Sequence, residues 1–126
     1  MKTIACIVVA FLAGVLTTVA FAHPAAQDPE KVSPQLYKVL LENDQVKVLE
    51  WRLPAGQKEA MHTHHPGVVY EFGAGRFKMT TPDGKTQVGE GEAGSVFYPD
   101  ATTHAIENIG TTEGHALDVE LKKVCK

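Results

Sequence analysis

From residue 36 onward the chain alternates short runs of apolar and polar residues with clusters of turn formers. LYKVLL, VKVLEWRL, MHTH, VVYEF, RFKMTT, KTQV, SVFYP, HAIENI and HALDVEL are separated by ENDQ, PAGQ, PG, GAG, PDG, GEGEAG, DATT and GTTEG. Each run is too short for an ordinary helix, and ten glycines fall between Gly56 and Gly114. Nine such runs at regular spacing predict short antiparallel strands in an all-β sandwich or barrel. Only residues 35–41 offer a rival, since Leu36, Val39, Leu40 and Leu41 also fit one face of a helix. Period-two alternation assigns faces: Val68, Tyr70 and Phe72 are expected inward, with Glu71 outward. His104, Ile106 and Asn108 share a face opposite Ala105 and Glu107.

The first 22 residues, MKTIACIVVAFLAGVLTTVAFA, break this pattern. One lysine, an apolar stretch and small residues at Ala20 and Ala22 have the order of a secretory signal peptide. A membrane-spanning helix is the competing reading, because residues 4–22 are uncharged and just long enough to cross. The small residues and the polar stretch after them favour cleavage, an exported or periplasmic destination, and no stable membrane insertion. Cys6 lies at the start of the apolar stretch and not after it, the wrong place for a lipoprotein cysteine. Residues 23–35 have no apolar period and read as an extended N-terminal arm, residues 36–122 as the barrel, and residues 123–126 as a tail.

Removing the leader leaves 104 residues, with 11 Lys and Arg against 15 Asp and Glu, a net charge of −4. No basic block precedes the last few residues, so nucleic acid is not an expected partner. Cys125 is the one cysteine left, which rules out an internal disulfide and reads as a tolerated thiol on a loose terminus. A packed core, a metal or a partner subunit must then hold the domain.

The chemistry concentrates in histidine. His62 and His64 stand at i and i+2 on a strand, so their imidazoles project to one side with Cα atoms about 6–7 Å apart. Two imidazoles make a weak metal site and need a third ligand. His104, opening a strand after YPDATT, is the best candidate, and imidazole donors suit Zn, Cu, Fe or Ni better than Ca or Mg. His65 points to the opposite face and is a substitute ligand only if Pro66-Gly67 turn the chain back. His115 reads as a surface residue, and His23 as a mature N-terminus able to chelate copper.

These residues resemble the cupins. Gly56, five residues and then His62-Thr63-His64 match the first half of the first cupin motif. Pro99, His104 and Asn108 match the spacing of the second, and the flanking strands have the rhythm of a single-domain cupin. The resemblance implies a jelly-roll barrel of six to eight strands, with a divalent transition metal (Fe, Mn, Zn, Ni or Cu) held by His62, His64 and His104. It also implies a small-molecule substrate or ligand and a possible homodimer. Two departures stand out: Val68 and Val69 occupy the places where a Glu ligand usually follows, and Ala101 replaces a usual Gly.

Other motifs carry less. Gly89 to Gly94 fits G-x-G-x-x-G by letter, but a strand follows where a dinucleotide site needs a helix, and it reads as a turn. Trp51, Tyr70, Phe72, Phe77, Phe97, Met61 and Met79 are core candidates. Tyr70, if it reaches the pocket, would orient a substrate through its phenol as the catalytic candidate. Glu50, Glu59 and Glu71 read as solvated strand residues. Two function classes emerge: a metal-dependent oxygenase or lyase, or a non-catalytic metal- or small-molecule-binding cupin of the periplasm.

Overall fold

The computed structural model describes residues 27–123; the leader, His23 and Cys125 lie outside them. Among the described residues one helical turn, α1 (Pro29–Val32), precedes nine strands. These are β1 (Tyr37–Glu42), β2 (Val46–Leu53), β3 (His62–His64), β4 (Gly67–Glu71), β5 (Gly75–Thr80), β6 (Thr86–Gly91), β7 (Val96–Phe97), β8 (Thr102–Asn108) and β9 (Gly114–Leu121). They form a five-stranded sheet in the order β1-β2-β9-β4-β7 and a four-stranded sheet in the order β3-β8-β5-β6. Every strand pair is antiparallel, giving the expected jelly roll. Residues 37–42 are a strand, so the helical alternative at 35–41 falls. The β1–β2 hairpin is closed by Asn43, whose Oδ1 accepts from the Gln45 and Val46 amides.

The inner face of the five-stranded sheet is set by β2 and β9. Lys47, Leu49 and Leu53 are buried on β2; Gly114, Ala116, Asp118 and Glu120 are buried on β9. Leu36, Tyr37, Leu49 and Leu53 form the core cluster, with Trp51 and Ile106 packed against it. β4 runs beside β9 closely enough that a Cβ at Gly67 would collide with the Val119 carbonyl, so only glycine fits there.

Three expectations are corrected. On β4 the faces are reversed: Val69 pairs with Asp118 and Phe97 and lines the interior, while Tyr70 pairs with Leu117 and Val96 on the outside. Val68, Tyr70 and Phe72 are 39%, 39% and 48% exposed. The cause is that the outer face of this sheet is itself apolar, with Leu41, Val48, Val119 and Val68 in register across four strands, so alternation alone could not tell inside from outside. Second, the N-terminal arm is not all extended. Pro29 starts a helical turn and is buried with Ser33, and the Gln27 carbonyl accepts from the Thr63 amide at 2.9 Å. Third, Gly89 to Gly91 belong to β6, and the turn itself is confined to Ala93 and Gly94.

Candidate metal centre

The cluster is assembled by β3 and β8. His62 lies directly opposite His104 and His64 opposite Thr102, so the i, i+2 pair on one strand meets the third histidine across the ladder. Ring centroids are 4.6 Å apart for His62–His64, 5.0 Å for His62–His104 and 5.2 Å for His64–His104. Asn108 secures β8: its Nδ2 donates to the Leu53 and Thr112 carbonyls, and its Oδ1 accepts from the Gly110 amide. The residue matching the second motif's Asn is therefore a structural pin.

Each imidazole has a different environment. His62 Nδ1 lies 2.7 Å from the Ala60 carbonyl, which can only accept, so Nδ1 donates and the neutral ring keeps a lone pair on Nε2. Burial holds His62 down at about 4. His64 Nδ1 faces Glu120 Oε1 at 2.8 Å and Asp118 Oδ2 at 3.0 Å. Burial opposes a charge on His64, but hydrogen bonds to the two carboxylates and their negative charge outweigh it and hold the ring up at about 9. His104, chiefly through burial, is held down at about 3, and its Nδ1 is buried without any hydrogen-bond partner.

One nitrogen from each histidine lies within 4.8 Å of the other two, and His62 Nε2 and His64 Nε2 are 2.8 Å apart. Nitrogens sharing an ion at about 2.0–2.1 Å sit roughly 3–3.5 Å from one another, so the set needs only small adjustments to hold one. The convergent nitrogens, the neutral rings of His62 and His104 and the orphaned His104 Nδ1 fit a divalent transition metal, whose binding would displace one proton from His64. His64, Asp118 and Glu120 form a second cluster, but the Lys47 ammonium, 3.4 Å from Glu120 Oε2, already supplies its cation.

The sequence reading missed the groups around this centre. Glu59, expected in solvent, is 2% exposed. Its Oε2 accepts from Tyr37 OH at 2.9 Å and Trp51 Nε1 at 3.0 Å, and its Oε1 accepts from the Ile106 amide at 3.0 Å. Burial pushes its carboxyl up to about 7 despite those bonds. Tyr37 OH is also 3.2 Å from His62 Nε2. The phenol beside the histidines is thus Tyr37; Tyr70 stands on the outer face, where it cannot orient anything in the cavity.

Glu71 faces the interior, where its Oε2 accepts from the Glu92 amide and the Ser95 hydroxyl. Glu50 is half-buried on the outer face, paired with Arg52 and His115. His65 is exposed and takes no part in the cluster. The one available signal was β9's alternation, which puts Ala116, Asp118 and Glu120 on one face and Leu117, Val119 and Leu121 on the other.

A cavity of about 370 Å³ opens beside His64 and His104, walled by Trp51, Phe77, Met79, Phe97 and Ile106. Comparison with solved structures fits this geometry to a known fold. A cupin domain from Bordetella pertussis Tohama I matches with a TM-score of 0.64 at 29% identity, over 70% of this chain and 93% of that one. The fold is that of a cupin. An RmlC-like cupin family protein with a double-stranded β-helix fold, from Methanocaldococcus jannaschii, matches at 16% identity and a TM-score of 0.54, over 86% of this chain and 93% of that one. The polyketide cyclase RemF from Streptomyces resistomycificus matches at 17% and 0.51, over 69% and 64%. These two likenesses concern the cupin fold alone. No family model and no curated protein sequence matches the chain.

Proposed function

We propose that this chain is an exported cupin that binds a divalent transition metal through His62, His64 and His104 and acts on a small, neutral, mostly apolar molecule as an oxygenase or lyase. The observation that carries the metal reading is the convergence of three imidazole nitrogens around His104's unpartnered ring. Export rests on the composition of residues 1–22. Bound there, the ion would supply Lewis-acid activation of a substrate oxygen.

The protein's own residues support the substrate class. The cavity has the volume of a small-molecule site and mainly aromatic and aliphatic walls. No Lys or Arg lines it, and Glu71 and Asp118 outnumber its one cationic side chain, His64, so the wall disfavours an anionic substrate. Tyr37 holds its proton toward Glu59, and burial together with the charges of Glu59, Asp118 and Glu120 keeps its phenol protonated well above the ordinary range. Asp118 and Glu120 hold His64 Nδ1, fixing the ring so that Nε2 points at the other imidazoles.

We also propose a homodimer through the outer face of the five-stranded sheet, supported by the half-exposed apolar row of Leu41, Val68, Tyr70 and Val96. Metal analysis of the purified chain tests the central reading. About one equivalent of a transition metal is expected, lost in His104→Ala. Less than about a tenth of an equivalent after metal-replete expression, unchanged by that substitution, sinks it. Oxygen uptake and product analysis over small phenols, thiols and diketones then separate enzyme from binding module, since a metal-loaded chain inert to all of them is the latter.

A further inference from the structure

The acid that the motif looks for after His64 is missing: Val68 faces out of the barrel, and Val69 lines the cavity without a donor atom. A carboxylate nevertheless reaches the imidazoles from the other side. Glu59 stands three residues before His62, and its Oε1 is 3.7 Å from His62 Nε2 and 4.0 Å from His104 Nε2. Its lone pairs can be accounted for one by one. Tyr37 and Trp51 occupy both on Oε2, and the Ile106 amide takes one on Oε1. One lone pair remains, on the oxygen nearest two histidine nitrogens.

Charge points the same way. Among the described residues no Lys or Arg lies within ion-pair distance of Glu59; the neutral imidazoles of His62 and His104 stand within 4.0 Å of it, and the charged His64 acts on it from farther away. A buried carboxylate with no cation in direct contact is costly, and a divalent ion amid the histidines would supply one. Asp118 and Glu120 cannot serve in its place, because they engage His64 at Nδ1, on the side away from His62 Nε2. We propose that Glu59 Oε1 is the fourth protein ligand of the metal held by His62, His64 and His104. The three-histidine, one-carboxylate set is completed from the segment before the first histidine, once Glu59 and the imidazoles close in to ligand distance, about 2.0–2.2 Å. This assignment rests on the metal reading above.

Cobalt(II) titration of the wild type, Glu59→Gln and His104→Ala tests it, following the visible absorption of the bound ion and its affinity by chelator competition. Outer-sphere partners alone change affinity about 10–100-fold. Glu59→Gln is therefore expected to weaken cobalt binding at least about tenfold and to shift the bands. Wild-type affinity and spectrum in Glu59→Gln, with binding lost in His104→Ala, overturn the role of Glu59 and leave the three-histidine site standing. Absence of cobalt binding by the wild type overturns both. Should Glu59→Gln not fold, a crystal structure of the cobalt-loaded wild type decides: an oxygen of Glu59 within about 2.3 Å of the ion is expected, and one beyond about 3.5 Å overturns the assignment.

Discussion

Behind His64 the barrel encloses Lys47, Glu120 and Asp118, the last also reaching the cavity wall; in front of it, Trp51, Phe77, Met79 and Phe97 surround open space. Both regions use inward positions of the same sheets, yet one is ionic and filled while the other is apolar and hollow. The ionic half is a chain of contacts from Asp28 and Glu30 through Lys47 and Glu120 to His64. It sets the charge and orientation of one imidazole. The hollow half carries no Lys or Arg and leaves room for a ligand. Position and chemistry are thus divided between the two sides of one histidine.

The sharpest way to break the ionic half is Lys47→Met. Lys47 is 3% exposed, and its removal leaves Glu30 without its cation and Glu120 with His64 alone. A stability loss of about 3–5 kcal/mol is expected from the denaturant midpoint. A variant as stable as the wild type would mean that the chain of charges does not hold the barrel.

A pH series tests the same half more gently. His64 is raised to about 9 in the folded chain, so its contribution is complete below its ordinary value near 6.5 and disappears as pH rises through 9. Glu59, raised to about 7, acts in the same direction between about 4.5 and 7, while His62 and His104, lowered by burial, favour the fold as pH rises toward 6.5. Between pH 6.5 and 9.5 the metal-free protein should lose up to about 3 kcal/mol of stability. A flat or rising denaturant midpoint over that range would show that His64 is neutral in the fold.

The hollow half is probed by Met79→Ala. Metal content should be unchanged, while the affinity for a neutral phenol bound in the cavity falls about tenfold, as truncation of one apolar wall residue allows. Equal loss of metal and phenol would mean that the two halves are not separate. Smallest of all, Tyr70→Ala should leave metal and phenol affinity within about twofold, in keeping with its outward position. Sedimentation of the same variant should show a weaker self-association if the outer face pairs two copies.

Much of the fold was legible because turn residues mark its strands. Val46–Leu53 begins and ends where the run VKVLEWRL does, and the histidines of β3 and β8 declare themselves by spacing. Which way a strand faces was harder. The usual rule that apolar means inward fails for β4 and β9, because this sheet turns Leu117, Val119 and Tyr70 outward and keeps acids inside. The site's remaining members were hidden for another reason: Tyr37 meets Glu59 across 22 residues and His64 meets Glu120 across 56. A charged residue on a strand looks solvated until its distant partner is seen.

The docking of residues 27–33 redraws where the folding unit begins. Thr63, between the two histidines of β3, takes its amide partner from Gln27, and Ser33 Oγ accepts from the Ala60 amide. A chain trimmed to start at Leu36 would retain all nine strands and still be incomplete. It would lose a pairing edge for the histidine strand and two of the anions that neutralise Lys47. Protein engineers who join a tag or a second domain to this barrel should therefore place the junction ahead of Gln27.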